Sequence, residues 1–394
     1  MHRIVVMVLG LFLVACGAVL PPEPPQRDAS IDADGDADAD VGATVVADAG
    51  APGDAGTASA LDAGLDAGVA PADAGANNPL RLQVRDLEWA FAPIPESRCA
   101  NASVTGIGVN VNPASDELLV YFVGGGACWN LATCGVGTSA NLRRGYGAAD
   151  FAADGIRRWS MFSRQEPRNP FRAMSHVVVP YCTADVHAGT RVTTYNGVVT
   201  VTHHGARNVD AMLPRLVATF PQVRRIVLVG SSAGGFGAQL NFPKFVASFP
   251  NVTVDVIADS AQLVNPSGTL VTEWGAAWGL TVPASCIGCA TDFPRYLEHL
   301  LATSPSSRFA LLASMRDSTL TPFFNYGLNV QAFNDATASV LDRYDRSSNG
   351  TYFARPGLRH TYLEFVTQLS SGEDATTFDW VSGFLVGVTD RRRP

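Results

Sequence analysis

Charge is scarce in this 394-residue chain: Asp, Glu, Lys and Arg make up 16% of it, against 47% hydrophobic residues. That balance excludes a chain solvated from end to end and supplies apolar surface for one large or two small domains. Long apolar runs are also missing. The one at the start, "IVVMVLGLFLVAC" from Ile4, follows His2 and Arg3 and is too short to span a bilayer, so it reads as a signal h-region. Between Gly17 and Pro79 there is no aromatic residue, Ala, Asp, Gly and Pro dominate, and Asp-Ala-Gly recurs at Asp48, Asp54, Asp62, Asp66 and Asp73. Such a stretch cannot bury enough apolar surface to offset its chain entropy, which excludes a core there and leaves a disordered, self-repelling tether over residues 16–80.

A basic excess is absent too. The net charge is −8, but residues 17–80 carry twelve acids against Arg27 alone, while residues 81–394 hold 26 Arg and Lys against 24 Asp and Glu. The acidity belongs to the tether, and the nearly neutral remainder excludes a nucleic-acid partner. The end of the h-region, "LVAC" from Leu13 to Cys16, resembles a bacterial lipobox. The resemblance implies removal of residues 1–15 and lipidation of Cys16. Gly17 rather than aspartate follows, so nothing marks retention at the inner membrane, and the expected location is the outer membrane or surface of a Gram-negative cell. Within the tether, "DADGDADAD" from Asp32 mimics a calcium loop, but its glycine is misplaced and no glutamate closes it.

With Cys16 assigned to the anchor, six cysteines remain in an exported chain: Cys99, Cys128, Cys134, Cys182, Cys286 and Cys289. An even count there reads as three disulfides. A zinc site would need paired knuckles, and only Cys286 and Cys289 have that spacing, with no histidine to complete it. His203-His204 lacks a further ligand at metal spacing, so no metal and no cofactor are expected.

Along residues 81–394 continuous apolar runs alternate with segments of helical spacing. "ELLVYFVGG" at Glu117, "HVVVPYC" at His176, "RRIVLVG" at Arg224, "VTVDVIADS" at Val252 and "RFALLASM" at Arg308 have the character of strands buried on both faces. "NVDAMLPRLVATF" from Asn208, "FPRYLEHLLAT" from Phe293 and "NVQAFNDATASVLDRY" from Asn329 read as helices. The alternation predicts an α/β fold, a mostly parallel central sheet flanked by helices, with function at the carboxyl ends of the strands.

One such strand runs into "VLVGSSAGGFGAQL", where Gly230-Ser231-Ser232-Ala233-Gly234 fits G-x-S-x-G with Ser232 at its centre. Strand before and helix after are the surroundings a nucleophile elbow needs. A serine hydroxyl needs a base to take its proton, and the base an acid to orient it. In the chain order Ser, Asp, His, the acid is Asp259 or Asp317. The base is His299, inside a helical segment, or His360, in the loop-like "GLRHTYLEF", which suits it better. The developing alkoxide needs backbone N–H donors, which Ala233 and the loop Gly124-Gly125-Gly126 can provide, with Gly125 and Gly126 as loop donors.

"VYFVGGGACWNLATC", "VVVPYCTADVHAGT", "HHGARNVDAML", "LVGSSAGGFGAQL", "VIADSAQL", "SMRDSTLTPFF" and "LRHTYLEF" occur in the order found in pectin acetylesterases and the related Notum carboxylesterases. The resemblance runs from about Cys99 to Thr361. It implies an α/β-hydrolase with Ser232 as nucleophile, His360 as base and Asp317 as orienting acid, with Asp259 at a structural position. It also implies the pairings Cys99–Cys182 and Cys128–Cys134, which leaves Cys286 with Cys289. Where the family carries an aromatic between glycines and cysteine this chain has Ala127, with Trp129 two places on, which bears on acyl preference. Asp185 and His187, on a loop before the nucleophile, are candidate substrate contacts together with Trp129.

The expectation is therefore a lipid-anchored serine esterase whose partner is an ester, an acetylated polysaccharide first. The alternatives are a deacylase of longer chains or a polyester depolymerase, and a non-catalytic surface binding protein. Against the last, no triad or oxyanion position is visibly damaged.

Overall fold

The computed structural model describes residues 78–394. The signal, the lipid-anchor reading of Cys16 and all but the end of the expected tether lie outside the described residues. The strands, in chain order, are β1 (Ala90–Ile94), β2 (Thr105–Asn110), β3 (Glu117–Phe122), β4 (Ser175–Val179), β5 (Arg191–Tyr195), β6 (Val199–His203), β7 (Arg225–Ser231), β8 (Thr253–Asp259), β9 (Phe309–Ser314), β10 (Gly350–Arg355) and β11 (Arg391–Arg392). Nine of them form one sheet in the order β1-β2-β4-β3-β7-β8-β9-β10-β11, and β5 and β6 pair as a separate hairpin. From β4 to β11 every pairing is parallel; β1 and β2 add an antiparallel edge. All five strands expected from apolar runs are present, as are the three helical segments, as Gly205–Thr219, Phe293–Thr303 and Val330–Asp345.

The strands are continuously apolar because both sheet faces are covered. Leu118, Val120, Phe122, Ile226 and Leu228 point into one core, whereas Leu119, Tyr121, Val227, Val229 and Ile257 point into the other. Each such side chain contributes about 1.5–3 kcal/mol when fully buried, so no strand can turn a face to water without large loss. Parallel pairing also sends every chain reversal through a crossover, and thereby gathers all strand exits on one edge. That edge carries Gly124 after β3, Ser232 after β7, Ser260 after β8 and Met315 after β9.

Three disulfides join Cys99 to Cys182, Cys128 to Cys134 and Cys286 to Cys289, with Cα separations of 4.9, 5.0 and 5.6 Å. These are the pairings that the family resemblance implied. No helix among the described residues is long and apolar enough to cross a membrane.

Candidate active site

Strand β7 ends at Ser231, and a helix, Ala233–Ser248, begins one residue after Ser232. Ser232 makes the reversal with φ 54° and ψ −125°, a conformation in which a non-glycine residue is strained and which, in a packed site, is held by its surroundings. The glycines around it are needed for close approach: a β-carbon on Gly230 would collide with the Gly234 carbonyl, and one on Gly234 with the carbonyl oxygen of Phe122. The Ser232 N–H donates to the Asp259 carbonyl at 2.8 Å, which fastens the elbow to the neighbouring strand. Ser232 itself is 9% exposed.

The glycine loop leaves the adjacent strand, β3, and lies on the elbow. A β-carbon on Gly124 would sit 3.1 Å from that of Ser232. The Gly125 carbonyl accepts from Ala140 N–H at 2.8 Å and the Gly126 carbonyl from the Tyr181 hydroxyl at 2.7 Å, so both carbonyls are engaged within the protein. The N–H groups of Gly125, Gly126 and Ala233 have no acceptor among the described residues. Three donors beside a strained serine can stabilise a developing oxyanion.

His360 follows β10 in a loop and is partly buried. Its Nδ1 lies 2.8 Å from Oδ2 of the fully buried Asp317, whose other oxygen accepts the N–H groups of Thr319 and Leu320 at 2.9 and 2.8 Å. A carboxylate can only accept, so it sets the ring proton on Nδ1 and leaves Nε2 as the basic nitrogen. Burial works against a charge on this imidazole, but the hydrogen bond and charge of Asp317, with Asp259 and Glu364 adding to them, hold its pKa above the ordinary 6.5.

Asp259, the other candidate acid, has a different task. Its carboxylate accepts the Ser231 hydroxyl at 2.7 Å and the backbone N–H groups of Tyr362 and Leu363 at 2.9 and 3.0 Å, while Tyr121 in turn donates to Ser231 at 3.0 Å. The Thr361 N–H adds a bond to Ser260 Oγ at 2.8 Å. Asp259 and Ser260 therefore tie the segment just after His360 to the strand beside the elbow. Nothing in the local sequence announces this link, which spans about a hundred residues; the one signal was an aspartate ending an apolar strand. His299, the other candidate base, lies on the helix Phe293–Thr303 near Ser285, with 3.4 Å between Nε2 and Oγ.

The expectation that Asp185 and His187 contact substrate is corrected by their burial. Both are enclosed, at 0% and 2% exposure. Asp185 accepts the Thr183 hydroxyl at 2.6 Å and the Gly205 N–H at 2.8 Å, and His187 Nε2 lies 2.9 Å from the Val123 carbonyl with its ring edge-on to Phe122. They brace the strand end that leads into the glycine loop. Burial lowers the His187 pKa to about 4, so the ring is neutral and donates to that carbonyl. His203, too, is spoken for, between the Tyr195 hydroxyl at 2.8 Å and the Thr183 carbonyl at 3.1 Å, and the cysteine sulfurs beside it are bonded to each other.

Trp129 lies in an aromatic cluster. Its ring packs edge-on against Trp274 and Phe323, and Trp274 also contacts Trp278, Phe293 and Phe324. Trp278 donates from its indole to the Cys128 carbonyl at 2.7 Å. Trp274, Trp278, Phe293, Phe323 and Phe324, with Phe236 of the elbow helix, line a cavity of about 10 Å³, room for roughly one water.

A serine on a strained turn at the carboxyl edge of a parallel sheet, with a carboxylate-backed histidine returned to the same edge from late in the chain, is the arrangement of the α/β-hydrolase fold. A family model described as Pectinacetylesterase matches residues 95–274, a little under half of the chain. The palmitoleoyl-protein carboxylesterase NOTUM of Schmidtea mediterranea is 29% identical over 154 residues, covering 37% of this chain and 28% of that protein. Pectin acetylesterase 4 of Arabidopsis thaliana is 23% identical over 38% of this chain and 37% of its own length. The chain thus spans about a third of the length of the curated relatives it matches. The Wnt deacylase Notum from Drosophila shares the fold, with a TM-score of 0.60 over 78% of this chain and 96% of that one at 19% identity.

Proposed function

We propose that this protein is a serine carboxylesterase that removes O-acetyl groups from a polysaccharide through an acyl-enzyme. The observation that carries the reaction type is the His360–Asp317 pair fastened, through Asp259, to the strand that adjoins the Ser232 elbow. His360 Nε2 takes the proton as Ser232 Oγ attacks the ester carbonyl, and the oxyanion is stabilised by the N–H groups of Ala233, Gly125 and Gly126. The proton then passes to the departing alcohol. Water, deprotonated by the same imidazole, attacks the acyl-enzyme and releases the acid.

A short acyl group is supported by the aromatic cluster. Phe236 of the elbow helix and Phe323 and Phe324 of the segment after Asp317 line a cavity of only about 10 Å³. An aliphatic chain of several methylenes needs far more room. The tether and the lipid on Cys16 belong to the same reading, an enzyme exported and held at a Gram-negative outer membrane or cell surface.

The test is hydrolysis by the full chain and its Ser232→Ala variant of p-nitrophenyl esters from acetyl to palmitoyl, and of acetylated pectin and xylan. Acetate release with a steep fall beyond short chains, lost in the variant, supports the proposal. Preference for long chains would make the protein a deacylase of fatty-acyl esters, and no Ser232-dependent turnover would make it a binding protein.

A further inference from the structure

Phe365, on the loop that carries the base, is unfavourable in two ways at once. It is 71% exposed, and its φ of 61° is a left-handed conformation that an aromatic residue rarely adopts unless its surroundings impose it. Here they do. Upstream, Asp259 accepts the N–H groups of Tyr362 and Leu363, and downstream the Ser160 N–H donates to the Val366 carbonyl at 2.6 Å. The Phe365 ring meets the buried Trp159 edge-on, with ring centres 5.1 Å apart. Trp159 in turn packs edge-on against Tyr121 at 5.9 Å, and the Tyr121 hydroxyl donates to Ser231, the neighbour of Ser232. A continuous run of packed rings thus leads from the residue before the nucleophile to an aromatic side chain held in water. Neither its strain nor its exposure serves stability.

The surface beyond this ring is open and polar. Residues 367–370 form one side of a groove of about 400 Å³, and Glu166, Pro167 and Arg168 form the other. Arg168 joins the two sides by donating to the Leu369 carbonyl at 3.3 Å. The hydroxyls of Thr367 and Ser370 and the amide of Gln368 have no hydrogen-bond partner among the described residues, and all three residues are exposed. An aliphatic chain would find no continuous apolar wall here. A pyranose fits, because it has an apolar C–H face and a rim of hydroxyls that both donate and accept.

We propose that Phe365 is the specificity-determining residue of a polysaccharide subsite. Its ring stacks on the C–H face of a sugar next to the acetylated one, and the groove beyond takes the hydroxyls of the sugars that follow. The inference rests on the esterase reading and names where such an enzyme would read the polymer rather than the ester. The C–H bonds of a sugar carry partial positive charge and meet the negative face of the ring. Because Phe365 shares a loop with His360, a chain seated on it is brought into line with the base, although the ring touches no reacting atom. Held in place beforehand by Trp159, Ser160 and Asp259, it loses little freedom when sugar binds.

The experiment measures hydrolysis of acetylated xylan, acetylated pectin and p-nitrophenyl acetate by the full chain, and binding of the two polymers to its Ser232→Ala variant, with Phe365 intact and replaced. Glycine adopts a φ near 60° freely, so Phe365→Gly removes the ring without adding strain, while Phe365→Trp keeps an aromatic face. In Phe365→Gly the ratio of kcat/KM on the better polymer to that on p-nitrophenyl acetate should fall about tenfold, chiefly through KM, with a matching rise in Kd. Phe365→Trp should restore both. Gln368→Ala should lower the same ratio by about threefold. An unchanged ratio and Kd in Phe365→Gly overturns the proposal, as does turnover of p-nitrophenyl acetate without binding of either polymer. A loss on p-nitrophenyl acetate as large as that on polymer also overturns it, since the ring would then only hold the His360 loop. If Phe365→Gly fails to fold, Phe365→Leu, which packs on Trp159 but has no aromatic face, decides by the same ratio. Polymer binding that depends on Phe365 without any Ser232-dependent hydrolysis would instead overturn the esterase reading, so the two failures are distinct.

Discussion

Two buried aspartates, four residues apart on β8, show how differently the two edges of the sheet are built. Asp255, near the amino end, is fully buried and meets two guanidinium groups, Arg225 and Arg308, each at 2.8 Å. Asp259, at the carboxyl end, is as deeply buried, yet its direct partners are neutral donors: a serine hydroxyl and the backbone N–H groups of Tyr362 and Leu363. Burial raises its pKa, and those hydrogen bonds work against the rise. At the first edge charge is cancelled where it sits, which serves stability. At the second it is left uncancelled to position a loop, and the imidazole on that loop feels it. The difference separates the part of the sheet that holds the molecule together from the part proposed to do chemistry.

The comparison breaks most readily at Asp317. Asp317→Asn should leave the fold intact and lower turnover by about 10⁴, the scale of losing the orienting acid in such a triad, whereas the same change at Asp255 should leave the rate per folded molecule alone. Steady-state kinetics with an active-site titration measures both, and a fully active Asp317→Asn would return the role of acid to Asp259.

Next comes the amino edge. Asp255→Ala leaves two guanidinium groups facing each other without their anion, and should cost about 3 kcal/mol, read as a lowered urea midpoint with unchanged slope. Equal stability would mean that the ion pairs are replaced by water at no loss, and that the two edges do not differ as described.

Asp259→Asn sharpens the contrast, because it removes charge while keeping shape. It should lower kcat by about tenfold to a hundredfold as the His360 loop loosens, with a stability loss of about 1–3 kcal/mol from hydrogen bonds now made to a neutral acceptor. It should also move the acid limb of the rate profile downward, since the charge of Asp259 helps to hold His360 above 6.5. A loss of stability with no change in kcat or in that limb would make Asp259 another Asp255.

The smallest effect is expected away from both aspartates. Trp129→Ala removes a wall of the aromatic cluster, and should shift the optimum on p-nitrophenyl esters by a few carbons toward longer chains with a change in kcat/KM of about tenfold. An unaltered chain-length profile would detach that cluster from the acyl group.

Much of this was legible in the chain. The five apolar runs became five strands because a residue buried on either face of a parallel sheet must be apolar, a rule that acts on each residue separately. Ser232 could be picked out because the elbow is a local event: strand, small residues and helix are all neighbours in sequence. The remaining parts of the site resisted for a common reason. Asp185 and His187 have the composition of substrate contacts, but the packing of Gly205 and Phe122 around them encloses both.

What the sequence determined by itself, then, is the kind of sheet, the turn that presents Ser232 and the glycines that turn needs, since each depends on sterics over a few bonds. The choice between Asp259 and Asp317 lay beyond chain order and rested on family resemblance, because both aspartates follow strands and both precede the histidine. Only the tertiary structure decided what each carboxylate touches: Asp317 the ring of His360, Asp259 the backbone just beyond it. Hydrogen bonds join groups that are close in space, and the crossovers of a parallel sheet bring together residues a hundred positions apart.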